Sequence, residues 1–330
     1  RSLIEGKSQK ITVKGKDGDF DIPQKAWKNL LEAEVGGDIT FTVCKRQAGK
    51  WQAMKPFKVH IVADKADSYI AYRIIAPCYI VWKKMGIYQR NIENFTQTPI
   101  FENKLTEYNC INCHTFDRTR PGRMLFHSRG QTNGTVMVEN GRARLVDFKA
   151  LGMRQQPTYP AWHPGGRYVA FSSNDVQQCF MLHGAQPIEV YDTESDIILY
   201  DTEQGAVVAE AALNTPEVWE TFPTWSPDGS ILYYCAADSV RHAGIDRFRT
   251  HYRLMQIDFD PSEGRFTSLP REVKLGSLDM TAHSVSHPRI QGHYLLFTLT
   301  DYGTFPIWHD EADLWLLDLE TGEGQQPQRS

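Results

Sequence analysis

One segment of this chain is written three times over. Tyr159-Pro160-Ala161-Trp162-His163-Pro164-Gly165-Gly166-Arg167-Tyr168-Val169-Ala170-Phe171 returns as Phe222-Pro223-Thr224-Trp225-Ser226-Pro227-Asp228-Gly229-Ser230-Ile231-Leu232-Tyr233-Tyr234. A shortened copy runs from His287-Pro288 to Leu296-Phe297, and a degenerate one is Pro121-Gly122-Arg123-Met124-Leu125-Phe126-His127. Each copy reads as a strand, a tight Pro/Gly turn and a second strand. A third strand follows, as in Asp196-Ile197-Ile198-Leu199-Tyr200-Asp201 and Asp313-Leu314-Trp315-Leu316-Leu317-Asp318, then a turn and room for a fourth. Such a unit cannot bury its apolar faces alone, so four-stranded units in series stack as propeller blades. The pattern predicts an all-β chain whose larger part is a propeller of at least four blades.

The period is 63 residues from Pro160 to Pro223 and 65 from Pro223 to Pro288. A bare blade needs roughly 40–45. The surplus falls between the second and third strands each time: Asn174 to Ser195, Ala236 to His251, and Thr300 to Ala312. In an up-and-down blade these connections emerge together on the face where the inner strands begin, and loops gathered on one face mark a binding face.

The rest of the 330 residues divides in two. Residues 1–64 alternate in short bursts, such as Lys10-Ile11-Thr12-Val13 and Asp38-Ile39-Thr40-Phe41-Thr42-Val43, with a helical piece from Pro23 to Glu34. They read as a small β-sandwich-like domain. Residues 65–105 form an aromatic connector, and 106–330 the propeller. With 36 Lys+Arg against 40 Asp+Glu, the net charge is −4, which speaks against a nucleic-acid partner. No 18-residue apolar stretch occurs, so no transmembrane segment is expected. The sequence shown starts at Arg1 rather than Met, which leaves a removed export leader or a lipoprotein anchor as an expectation.

Among six cysteines, two fall in Cys110-Ile111-Asn112-Cys113-His114, the C-x-x-C-H spacing of covalent c-type haem attachment. Two thiols add across the vinyl groups of one porphyrin edge, and the adjacent imidazole becomes the proximal iron ligand. A zinc site would need a second ligand pair nearby, and His283/His287 lies too far downstream. A thioredoxin-like pair would need a βαβ context that this chain lacks. A plain disulfide or redox pair stays open as the alternative. Cys44 and Cys235, at the ends of apolar runs, read as small buried hydrophobes.

The repeated Trp-Ser-Pro-Asp-Gly turn, with its apolar strand and later Tyr-Asp strand end, resembles the TolB-type (PD40/WD40-like) propeller repeat over about residues 106–330. The whole chain is similar to a family of exported bacterial proteins that joins a small β-domain, a CxxCH motif and a TolB-like propeller. The resemblance is carried by Ile70-Ala71-Tyr72-Arg73, Met85-Gly86-Ile87-Tyr88-Gln89-Arg90-Asn91, Cys110–His114, Met124-Leu125-Phe126-His127, Asp301-Tyr302-Gly303 and Ile307-Trp308-His309. It implies a periplasmic or cell-envelope protein with one covalent haem c. Such propellers usually close with six or more blades, so the four visible copies leave a C-terminally shortened chain as an expectation.

By connectivity, His114 should stand near the start of the first inner strand. The haem would then sit in a mouth walled by the three surplus segments. His127 is the nearest candidate for a sixth ligand, provided that Cys110–His114 is a loop or a helical turn; in a regular hairpin the two histidines would stand too close to sandwich a porphyrin. Met85, Met124, Met153, Met181, His183 and His283 are further candidates, each with packing or exposure as its ordinary role. His163 and His287 read as turn residues. Arg73, Arg90, Arg118, Arg120 and Arg123 flank the motif and could pair haem propionates. Asp192, Glu194 and Asp196 lack calcium-loop spacing and read as strand-end residues. The functional expectation is electron transfer with a redox partner protein, or the haem subunit of a redox complex. The alternative is a binding propeller in which haem is structural or absent. Either role fits better than stand-alone catalysis.

Overall fold

The computed structural model describes residues 2–15, 19–64, 67–75, 85–131, 133–153, 156–182, 188–208, 210–276 and 278–326. Cys78 and His183 lie outside them. The chain divides into two compact units, Arg1–Ile74 with Gly86–Phe101, and Ile75–Met85 with Glu102–Ser330. Among the described residues no helix is long and apolar enough to cross a membrane.

The first unit holds β1 (Ser2–Glu5), β2 (Lys10–Val13), α1 (Gln24–Ala33), β3 (Asp38–Gln47), β4 (Lys50–Ala53) and β5 (Phe57–His60). They form one sheet in the order β2-β1-β3-β4, with β5 also on β3. Ile11 and Val13 alternate with exposed neighbours, so one face is apolar. Leu30 of α1 packs onto it beside Ile4, Ile11, Val13 and Ile39. Where a sandwich was expected, α1 supplies the second layer. The connector contains a three-stranded sheet of β6 (Tyr69–Ile74), β7 (Gly86–Asn91) and β8 (Gln97–Glu102). Asn91 closes its second turn by accepting the N–H groups of Glu93 and Asn94 at 2.9 and 3.0 Å.

The second unit consists of four antiparallel sheets met in chain order. The first has β9 (Cys110–Phe116), β10 (Met124–Arg129), β11 (Gly134–Glu139) and β12 (Arg142–Val146). The second has β13 (Thr158–Trp162), β14 (Tyr168–Phe180), β15 (Ile188–Asp201) and β16 (Ala206–Val208). The third has β17 (Val218–Trp225), β18 (Ile231–Asp238), β19 (Arg253–Asp260) and β20 (Arg265–Phe266), with β21 (Arg271–Glu272) also on β19. The fourth has β22 (Ser284–Gln291), β23 (Tyr294–Thr300), β24 (Asp313–Asp318) and β25 (Gly324–Gln325). Their inner strands pack in series, β9 on β13, β13 on β17 and β17 on β22. The molecule is thus all-β, with a propeller of four described blades.

Period-two alternation explains why the blade strands read as unbroken apolar runs. In β18, Leu232, Tyr234 and Ala236 join the core shared with the second blade, while Tyr233, Cys235 and Ala237 join the core shared with the fourth. In β14, Tyr168 and Ala170 face one neighbour, and Val169 and Phe171 the other. Along Tyr168–Phe171 and Leu232–Ala237 both faces are buried, so no solvent-facing residue interrupts those runs. The turns are built locally. Asp228 accepts from the Ser226 hydroxyl at 2.6 Å and from the Ser230 N–H at 3.1 Å, and Gly229 takes φ +76°.

Candidate functional site

The four inner strands share one irregularity. Each carries a bulge with one extra residue, between Asn112 and Thr115, Thr158 and Ala161, Thr221 and Thr224, and Ser286 and Arg289. The first bulged residue is left-handed in every blade: Cys113 at φ +55°, Tyr159 at +49°, Phe222 at +52° and His287 at +50°. A non-glycine residue there is uncommon, and four in register mark a feature of the architecture. The next residue is Pro160, Pro223 or Pro288 in three blades and His114 in the first. The Cys-x-x-Cys-His motif is therefore the first blade's inner strand itself, with Cys113-His114 in the place of the aromatic-Pro pair.

This placement answers the condition set on His127. Cys110–His114 is strand rather than loop or helical turn, and His127 lies directly opposite Asn112. The two histidines thus belong to neighbouring positions of one hairpin, without room between them for a porphyrin. His127 is buried, and its Nδ1 has no partner among the described residues. Burial, helped by the Arg129 charge, holds its pKa down at about 3, so the ring is neutral. The other candidates are distributed as follows. Met85 is buried, and its sulfur accepts the Ile111 N–H at 3.2 Å. Met124 is a core residue and Met153 packs against the core between the first two blades. Met181 is half-buried, and His283 stands 3.8 Å from Asp301. Among the described residues, no group of three or more His, Cys, Asp or Glu is arranged to hold a metal ion.

Past the bulge, the inner strands wall an axial cavity of about 270 Å³. His114 and Phe116 border it from β9, Trp162 from β13, Trp225 from β17 and Ile290 from β22, with Arg118 and Arg289 at its margin. Its walls come from the strand halves nearest the Pro/Gly turns. This corrects the expected mouth: none of the three surplus segments borders the cavity that His114 borders, because the bulge carries His114 past the start of its strand. Cys110, at that start, pairs with Arg129, while His114 faces the turn end. Cys110, Cys113 and the other described cysteines, Cys44, Cys179 and Cys235, are not joined in a disulfide. Cys235 is fully buried as expected, and burial pushes its thiol pKa up; Cys44 is half-buried.

Of the flanking arginines, only Arg118 reaches the cavity. Arg123 is buried against Asp117 at 3.1 Å and donates to the Gly166 carbonyl of the next blade at 2.9 Å. Arg120 stands near Glu139 and Glu203. Arg73 and Arg90 belong to the first unit. His163 performs the turn role foreseen for it: Nδ1 accepts the Gly165 N–H at 2.9 Å and Nε2 lies 3.1 Å from the Gly229 carbonyl, clasping the second blade to the third.

The opposite end of the inner strands holds a second site. The three surplus segments do meet there, as connectivity predicted, but Asn174–Ser195 is an extension of the β14–β15 hairpin, paired out to Phe180 and Ile188. Glu189 accepts from the Tyr302 hydroxyl at 2.9 Å and stands 3.4 Å from His309 Nε2 and 3.9 Å from Arg247 Nε. Burial alone would raise the Glu189 pKa, but the His309 and Tyr302 hydrogen bonds hold it below the usual carboxylate value. Asp192 is buried in mid-strand, not at a strand end, and accepts from Asn174 and the Tyr252 hydroxyl, each at 2.8 Å. Burial pushes its pKa up to about 7, and that of nearby Glu220 up to about 9. The space left within this cluster is about 10 Å³, enough for about one water.

No family model matches the chain, and no curated protein does. Among solved structures it is similar to a Mycobacterium tuberculosis puromycin-hydrolyzing peptidase, at 13% identity and TM-score 0.48 over 81% of this chain and 38% of that one. It is similar to an oligogalacturonate lyase in complex with manganese, at 13% and 0.44 over 78% and 61%. A third is Pyrococcus horikoshii acylaminoacyl peptidase, at 14% and 0.44 over 81% and 45%. The chain spans less than two thirds of the length of each. The class of protein defined here is the β-propeller.

Proposed function

We propose that this protein is an exported, cell-envelope β-propeller carrying one covalent haem c, and that it passes electrons to a redox partner protein. The observation that supports this most is the joint placement of the motif: two part-exposed thiols on one strand, followed by an imidazole on the wall of an axial cavity. The donor set fits the group on its proximal side, where Cys110 and Cys113 would form the thioethers and His114 would bind the iron. When bound, haem supplies a one-electron iron couple. Trp162, Trp225 and Ile290 line the same cavity, and apolar side chains beside a bound iron couple would tune its potential. His127 keeps its neutral ring inside the first blade, so the reading assigns it to packing rather than to the sixth position.

The test is the chain matured with cytochrome c assembly factors and examined by pyridine haemochrome spectrum and intact mass. A c-type spectrum and the mass of one added haem are expected, lost together in Cys110→Ser/Cys113→Ser. Matured protein without covalent haem overturns the reading. The docking-platform alternative draws on the surplus segments, which converge on one face; a partner that binds matured protein and the double serine variant equally favours it.

A further inference from the structure

We propose that the axial cavity is a carboxylate-binding site, with Arg118 and Arg289 as its anion clamp. Both guanidinium groups border the cavity, and neither has a carboxylate partner among the described residues. Arg289 makes one hydrogen bond, from Nη1 to the Pro288 carbonyl at 2.9 Å. The carboxylates of the neighbouring turns are committed elsewhere, Asp117 to Arg123 and Thr119, and Asp228 to Ser226 and Ser230. Arg289 is exposed and, as a guanidinium, keeps its charge. Two guanidinium groups without carboxylate partners, beside Trp162 and Trp225, suit an anion with a flat aromatic body. Position 289 lies where the other blades have Ala161 and Thr224 and the first has Thr115, so the repeat does not require an arginine there.

Two sources present this chemistry: the propionates of a haem held at His114, and a free aromatic carboxylate. The first deepens the haem reading and rests on it; the second does not. The experiment uses the full chain produced without haem maturation and titrates it with three probes: haemin, haemin dimethyl ester and phthalate. Haemin bound at least tenfold more tightly than its diester, with the preference lost in Arg118→Gln/Arg289→Gln, supports the clamp with haem as the source. Phthalate bound by the unmodified chain and weakened about tenfold to a hundredfold by the same change supports a free carboxylate. In either case Arg289→Lys retains part of the affinity, which separates lost charge from lost fold. Equal binding of haemin and diester together with no phthalate binding overturns the proposal. That result stands apart from failure of haem attachment, which the haemochrome spectrum of matured protein reads on its own.

Discussion

The two ends of the propeller's inner strands are built on opposite electrostatic plans. At the turn end, around His114, Arg118 and Arg289 border a cavity of about 270 Å³ without a carboxylate partner among the described residues. At the insertion end, carboxylates are packed around a space of about 10 Å³; Glu189 is answered by Tyr302 and His309 and Asp192 by Asn174 and Tyr252, while Glu220 Oε2 has no hydrogen-bond partner among the described residues. A closed, answered network fixes the positions of segments distant in sequence. An open, unanswered one leaves free energy to be gained from a ligand. The same strands thus carry a structural end and a receptive end.

Breaking one side chain at each end separates the two roles most sharply. Glu189→Ala leaves His309 and Arg247 facing each other without their shared carboxylate. It should cost about 3 kcal/mol in denaturant unfolding, in the range for a broken buried ion pair. Arg289→Gln loses no ion pair and should change stability by less than about 0.5 kcal/mol. Equal effects at both sites would remove the distinction.

Buried groups of opposite charge type should also respond to pH in opposite senses. His127 has a folded pKa of about 3, below the ordinary histidine value of 6.5, so the folded state binds fewer protons. Its contribution is fully present above about 6.5 and is lost as pH falls toward 3, at no more than about 1.4 kcal/mol per pH unit. Asp192 and Glu220 have folded pKa values of about 7 and 9, raised by burial. Their protonated forms fit the fold, so stability is present below the unfolded carboxylate range and is lost as pH rises toward 7 and 9. From these three groups the two carboxylates outweigh the one histidine, so stability should fall as pH rises from 4 to 9, more gently below about 6.5 where His127 opposes the trend. His127→Phe should steepen the fall below about pH 6.5, and Glu220→Gln should flatten it up to about pH 9. A slope below about pH 6.5 unchanged in His127→Phe would remove the histidine's part.

What was legible in the sequence is what short-range chemistry writes. The Pro/Gly turns, the strands beside them and the helix from Pro23 depend on neighbouring residues, and the structure has them where the pattern put them. The β14–β15 hairpin was read as a loop because Asn174-Asp175-Val176-Gln177-Gln178 breaks the apolar run, while its ladder depends on a partner strand not visible locally. The insertion cluster joins Glu189 to Tyr302 and His309 across more than a hundred positions, so no spacing announces it. One signal was available for the motif's true place. Cys113-His114-Thr115-Phe116 ends on an aromatic three residues after the bulge, as do Tyr159-Pro160-Ala161-Trp162 and Phe222-Pro223-Thr224-Trp225. Aligning on that aromatic puts the haem motif inside the strand instead of before it.

The smallest expected effect concerns the clasp that holds the cavity's wall together at the turn end. His163 Nε2 lies 3.1 Å from the Gly229 carbonyl, and burial lowers the ring's pKa although that contact opposes the shift. The third blade has Ser226 at the equivalent place and uses it within its own turn. His163→Ser should therefore keep the second blade's turn and lose only the link between blades, at about 1 kcal/mol. Gly229→Ala attacks the same link from the other side: its Cβ would fall 2.1 Å from His163 Nε2, at a φ of +76° that already disfavours a side chain. If the clasp is the link between these turns, the double variant should cost clearly less than the sum of the two single changes, measured by denaturant unfolding, because removing the ring also removes the clash. Additive effects would mean that the turns are held independently and that the turn end, like the insertion end, owes its shape to contacts within each blade.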